Sequence, residues 1–383
     1  MSEYQYYEFV AIDKPLTTAQ MSALRACSTR ATITPTSFVN DYQWGDLKGD
    51  PLDWMRRYFD AHVYVANWRS CWLFLRLPKD VFDIKTLSAF KTESALTFHR
   101  SESHWILQWT LTESDDDERF AMEDGRGWMG RLVSLRDELL RGDLRPLYLG
   151  WLAGASAGEI DEDDLEPPPP SGLSRLTAAQ RSLVEFLEID QDLLAAAAFG
   201  DKPAHVAIDE SHMDDWIADL PDNERGKIIK TVMTGHSPEA ERQLKSRFIS
   251  WQKGRRVDDE LSPMRRTVAG LRELAKSAAE TRKQRESVQR NKAEVQRQAK
   301  RESYLRTLAN DFDRYWQAAD ESAERATASA YDDAKRILVD LADACTLSAS
   351  QAEFDLRLAQ FISKHHKRGA LVRRLVASGL WKL

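Results

Sequence analysis

Between Leu271 and Arg368 the chain holds neither a glycine nor a proline. Glycine loosens a helix through backbone entropy, and proline breaks it by removing an N–H. A run free of both and filled with Ala, Glu, Lys, Arg, Gln and Leu excludes a loop-rich or all-β region and predicts very long helices. Cysteine is scarce as well: Cys27, Cys71 and Cys345 are odd in number and widely spaced, which fits neither a disulfide framework nor a zinc site. No apolar stretch approaches the roughly 20 residues that a membrane-spanning helix needs. The opening MSEYQYYEF lacks a basic-then-apolar leader. These features describe a protein of a reducing compartment, the cytoplasm, without membrane contact. Signatures of chemistry are missing too: there is no G-x-S-x-G, H-E-x-x-H, P-loop or kinase motif, so no catalytic residue, metal ligand or cofactor is assigned.

What is present is core material and strong charge polarity. The 383 residues are 42% hydrophobic and 9% aromatic, enough for two or three domains. Residues 1–170 carry eighteen Lys/Arg against twenty-eight Asp/Glu, net −10. From Gln252 to Arg306 the balance is net +8, from Thr307 to Asp355 net −7, and from Leu356 to Leu383 net +7. Alternating signs along consecutive helical arms suit an antiparallel hairpin with its turn near Asn310 and Asp311. An uninterrupted projecting helix from Pro263, capped by Ser262, is the other arrangement the pattern permits.

The N-terminal region alternates strand and helix signals. Tyr4–Ile12 reads as a strand, and Thr17 with Gln20 has the capping-box spacing that starts a helix. Arg30–Val39 reads as a second strand, with Pro35 marking an edge or bulge. Asp50-Pro51 opens a helix in which Met55, Tyr58, Phe59 and His62 follow helical spacing. Cys71–Leu77 is a third strand. Ala95–Arg100 and His104–Thr112 form a hairpin with Trp105, Leu107, Trp109 and Leu111 on one face. Helices follow over about 127–141 and 144–152. Eight of the twelve tryptophans lie between Trp44 and Trp151, which fits a small sheet packed by large side chains.

The stretch Glu159–Ser171 (EIDEDDLEPPPPS) is acidic, then proline-rich, and reads as a linker. Short helices follow. Thr177 and Gln180 repeat the capping box, Asp190 caps an alanine-rich helix, and Met213–Leu220 is another. Pro221 precedes a helix through Ile228, and Ser237-Pro238 opens one through Leu244 and Phe248. Ser348 or Ser350 caps a long helix carrying Phe354, Leu358, Phe361 and Ile362, and Leu371, Leu375 and Val376 mark a terminal one. The expected organisation is an α+β domain over 1–157, a linker over 158–173, an all-α short-helix bundle over 174–255, and long, coiled-coil-like helices over 256–383.

Four local patterns bear on chemistry. Gly125-Arg126-Gly127-Trp128-Met129-Gly130 matches G-x-G-x-x-G, but no strand delivers it and no β-α-β unit follows, so it reads as a loop entering a helix. His99, Glu102 and His104 at a hairpin tip, and His205, Asp209, His212 and Asp214, are too sparse to specify a metal. The concentrated feature is basic: Lys364, Lys367, Arg368, Arg373 and Arg374 at the C-terminal end, joined by an arm holding Arg265, Arg266, Arg282, Lys283 and Arg285. Such groups suit phosphate contacts whose affinity falls with salt. Pairing with the acidic arm, or with the acidic N-terminal domain and linker, is the structural alternative.

The leading expectation is a non-catalytic adaptor or assembly protein working through protein–protein contacts or self-association of its long helices. The seam of apolar residues over 276–303 (Ala278, Val288, Val295, Ala299) is too thin to be a core of its own and suits a partner strip. A nucleic-acid-binding component using the basic helices is the second reading. An enzyme of unspecified class in the aromatic domain is the third.

Overall fold

The computed structural model describes residues 4–68, 70–112, 125–201, 212–234, 244, 247–248, 251, 265–347 and 351–381. They form two compact units, Met1–Glu280 and Thr281–Leu383. An α+β part followed by an all-α part is the observed architecture. The caps of Ser262, Ser237, Ser348 and Ser350, and the residues His205 and Asp209, lie outside the described residues.

The first unit is organised by a seven-stranded antiparallel sheet in the order β2-β3-β1-β4-β5-β7-β6. Its strands are β1 (Gln5–Val10), β2 (Thr32–Thr34), β3 (Ser37–Tyr42), β4 (Ala61–Ala66), β5 (Ser70–Pro78), β6 (Leu96–Arg100) and β7 (His104–Leu111). The segment expected to be one strand over Arg30–Val39 is two. Thr34 pairs with Ser37, so Pro35 and Thr36 form a two-residue turn, a position that suits the fixed φ of proline.

Both faces of the sheet are covered. Alternation sends Leu73, Leu75 and Leu77 of β5, with Trp105, Leu107 and Trp109 of β7, into one core. Phe74 and Ile106 point into the other, with Tyr7, Phe9 and Phe38. The helices α1 (Thr18–Cys27) and α2 (Pro51–Arg57) close that second face through Leu24, Trp54 and Met55. Thr17 and Gln20 make the reciprocal capping box at α1, and Asp50 caps α2.

His62 is not helical. Helix α2 ends at Arg57, and His62 belongs to β4, every residue of which is buried. A strand covered on both sides loses the alternation that would reveal it, so its residues imitate the tail of the preceding helix.

The first face is closed by α3 (Ile84–Phe90), α4 (Trp128–Leu132), α5 (Leu135–Leu140), α6 (Arg145–Ala157), α7 (Ala178–Phe186) and α8 (Gln191–Ala197). The expected helix over 127–141 is divided at Val133–Ser134 into α4 and α5. Helix α6 approaches the sheet closely. A Cβ on Gly150 would lie 2.8 Å from Trp109 Nε1 and 3.0 Å from Leu96 Cβ. Gly150→Ala is therefore expected to cost about 1–3 kcal/mol through overpacking. Gly226→Ala, in the open at an exposed helical site, is expected to gain about 0.4–1 kcal/mol. Urea midpoints of the two variants compared with the parent chain check both signs.

Helices α7 and α8 share this core rather than forming a separate bundle, through Leu183, Phe186, Leu193 and Ala196. Beyond them, α9 (Met213–Asp219) and α10 (Asp222–Met233) are described, with a small cluster of Trp216, Leu220 and Phe248. The stretch Glu159–Ser171 is tied down at several points. Glu159 accepts hydrogen bonds from Ser94 N and Ala95 N, at 2.9 and 3.2 Å. Glu166 is 1% exposed.

The unbroken helix α11 (Val268–Ala309) spans 42 residues. It starts five residues later than a proline-initiated helix at Pro263 would, and Thr267 Oγ1 accepts from Gly270 N at its start. The break at Asn310–Asp311 is where the charge alternation places it, because α12 begins at Phe312.

In the second unit, α12 (Phe312–Glu324), α13 (Ala328–Leu347), α14 (Gln351–His365) and α15 (Gly369–Ala377) bury Leu305, Leu308, Leu338, Leu341, Phe354 and Phe361 together. Ala326, at φ 55, turns the chain between α12 and α13. Among the described residues, no helix is long and apolar enough to cross a membrane.

Candidate interaction surface

The ten basic residues expected to meet nucleic acid are distributed among three environments. Arg266 is half-buried in the first unit against the buried Glu166. Its Nε lies 2.7 Å from Glu166 Oε2 and its Nη2 2.8 Å from Glu166 Oε1, while Nη1 reaches the Ala196 carbonyl at 2.9 Å. Glu166 also accepts a hydrogen bond from the hydroxyl of Tyr148, whose pKa is pushed up by burial and by that carboxylate. Arg265 donates to the Glu166 carbonyl at 2.9 Å. These two arginines close a latch between distant segments.

Two members of the C-terminal cluster, Lys364 and Arg374, are paired against the acidic helices of their own unit. Arg357 meets Asp313 at 2.5 Å and Lys364 meets Asp320 at 3.0 Å, each 44 residues apart. The constant offset means that α12 and α14 run side by side in the same direction. Lys364 also reaches Glu324 at 3.1 Å, and these carboxylates raise its pKa. Buried His365 lies 2.7 Å from Asp320 through Nε2. Burial opposes the charge on Asp320, yet hydrogen bonds from His365 and Lys364 hold its pKa below the ordinary aspartate value. Arg374 binds Asp332 at 2.9 Å and lies over the Tyr331 ring. Lys367 and Arg373 are exposed, and Arg368 caps α15.

The remaining three, Arg282, Lys283 and Arg285, stand on a different kind of surface. Every residue from Thr281 to Lys300 in α11 is exposed. This stretch holds seven Lys/Arg against two Glu. Arg282 pairs with Glu286 at 3.0 Å, one turn on. The sequence continues the ladder through Arg290 and Glu294, and each such pair supports a solvated helix by about 0.3–0.5 kcal/mol.

Opposite the ladder lie two valines, Val288 at 65% and Val295 at 63% exposed. Gln284, Asn291 and Gln298 alternate with them at four- and three-residue steps, so the five share one helical stripe. The uncharged amides were missed in the sequence because an apolar-only pattern skips them. The 3-4 spacing of polar and apolar residues together is the signal that finds them.

Other candidates resolve into structure. Gly127, at φ 89, precedes the five-residue α4, and Gly125 packs against the Tyr6 ring. His99 Nε2 faces Gln108 and His104 Nδ1 faces Ser103, and among the described residues no cluster of His, Cys, Asp and Glu could hold a metal.

Asp60 is fully buried, with Arg76 at 2.6 Å and the Ile12 and Asp13 amides at 2.7 and 2.9 Å. Burial alone would raise its pKa, and Arg76 with these amides brings it below the usual value. All of these partners are internal. An open groove of about 280 Å³ between α6, α8 and α11 is lined by Asp190, Asp192, Arg272 and Lys276. There Asp190 caps α8 and Arg272 binds Glu162 at 3.0 Å.

Comparison with protein-family models, curated proteins and solved structures finds no match.

Proposed function

We propose that the chain is a non-catalytic assembly protein of a cytoplasmic complex, and that it recruits a partner through residues 281–300. The observation that carries this reading is twenty consecutive exposed helical residues with a valine–amide stripe on one side. A helix with one weakly apolar stripe gains more from docking that stripe into a groove or onto a second helix than from solvation.

The test is capture from native lysate after nuclease treatment, with the parent chain and the double variant Val288→Asp, Val295→Asp side by side. Both sites are exposed, so the variant keeps its helicity by circular dichroism. The expected result is a protein retained by the parent chain and lost from the variant. A monomer in sedimentation that captures nothing, or an identical catch from both chains, rejects the proposal.

The excess of cations on the same stretch favours nucleic acid as the second reading. That reading predicts co-purifying nucleic acid released at high salt, weakened by Lys283→Ala and Arg285→Ala and indifferent to the valines.

A further inference from the structure

We infer that the partner of residues 281–300 is an acidic α-helix that supplies the large apolar side chains this stripe lacks. The inference rests on the assembly reading above and specifies its ligand. Thr281, Gln284, Val288, Asn291, Val295 and Gln298 recur at alternating three- and four-residue steps. That mean period of 3.5 is the seam of a left-handed coiled coil, with the β-branched residues at one core position and the amides at the other. The positions bordering the seam on one side are Arg285 and Lys292, and on the other Ser287 and Glu294. The exposed helix as a whole is net +5.

A second copy of the chain fits this surface poorly. It would bring two more valines and three more amides to an interface already short of apolar area, and the same excess of positive charge. So little burial does not offset the freedom lost on association. Nucleic acid would engage the cations but leave the valine–amide stripe unused, and no aromatic residue lies in 281–300 to stack on a base.

What complements the stripe is a helix with leucine-like residues along its seam and carboxylates opposite Arg285 and Lys292. The second unit already joins helices in this way, where Arg357 and Lys364 of α14 meet Asp313 and Asp320 of α12 beside Phe354 and Phe361.

The experiment titrates full-length protein with two labelled synthetic peptides of about four heptads, followed by fluorescence anisotropy. Both carry leucine at the seam; one has glutamate and the other lysine at the bordering positions. The acidic peptide is expected to bind, with the lysine peptide and the Val288→Asp, Val295→Asp protein each at least roughly tenfold weaker. A short DNA duplex should fail to displace it. Equal affinity for both peptides, no binding of either, full displacement by the duplex, or a valine-dependent dimer of the protein alone overturns the inference. If these outcomes occur while a lysate partner is still lost from the valine variant, the assembly reading stands and only the acidic-helix partner is rejected.

Discussion

Arg266→Ala is expected to destabilise the Met1–Glu280 unit by about 3–5 kcal/mol, because it leaves the Glu166 carboxylate buried without its counter-charge. Glu166 is 1% exposed and receives two guanidinium nitrogens from Arg266. The same guanidinium satisfies the carbonyls of Ala196 and Ala197, at 2.9 and 3.3 Å. Truncation therefore strips partners from a carboxylate and from two helix-end carbonyls at once.

Arg265→Ala is the internal control. That residue is exposed and makes one hydrogen bond to a backbone carbonyl, so its loss should cost no more than about 1.5 kcal/mol. Adding Glu166→Gln to Arg266→Ala should return part of the loss, since the buried charge is then gone. Urea unfolding followed by tryptophan fluorescence measures all three. A phosphate-contact role for Arg266 predicts the reverse pattern, with unchanged stability and weakened nucleic-acid binding.

Acid should undermine the first unit through His62. Its ring is fully buried, stacked 3.8 Å from Phe9, with Nδ1 3.0 Å from the Glu8 carbonyl. Among the described residues, Nε2 has no hydrogen-bond partner. Burial opposes the charged imidazolium and pushes the pKa down to about 3, although the Glu8 contact works the other way. Between the unfolded value near 6.5 and the folded value near 3, the unfolded chain binds the proton and the folded chain does not. Stability is then unaffected by this group above the unfolded value and falls as pH drops through the window.

The loss from this one site reaches about 3 kcal/mol at pH 4. His62→Phe removes the titration while keeping an aromatic ring against Phe9. The stability difference between His62→Phe and the parent chain should therefore shift in favour of the variant by about 3 kcal/mol between pH 7 and pH 4. Parallel pH profiles for the two proteins would refute this account of His62.

Local signals in the sequence placed several elements well. The Thr17–Gln20 and Thr177–Gln180 capping boxes start helices where their spacing indicates. The Leu96–Arg100 and His104–Leu111 hairpin and the interruption at Asn310–Asp311 follow from residues near one another in the chain. What the sequence leaves open elsewhere has one cause: a residue's partner lies far away in the chain. Composition makes Glu159–Ser171 look like a solvated spacer, yet Glu166 finds Arg266 exactly one hundred positions on. Lys364 and Arg374 read from sequence either as a phosphate surface or as partners of the acidic arm, and the packing of α12, α13 and α14 places Asp320 and Asp332 beside them. In the exposed part of α11 an apolar-only pattern shows a thin seam, the 3-4 spacing brings in its uncharged amides, and the structure adds that every position from Thr281 to Lys300 is uncovered.

The guanidinium of Arg266 holds the carbonyls of Ala196 and Ala197, so two points of the first unit that lie 70 and 69 positions apart in the chain are held together. That contact closes the intervening length of chain at its two ends. For such a segment the entropy of closure depends only weakly on contour length, and doubling it costs about 0.6 kcal/mol. Changes of length between these two points should therefore be cheap, and relatives of this chain are expected to vary there while keeping the residues that meet at Arg266.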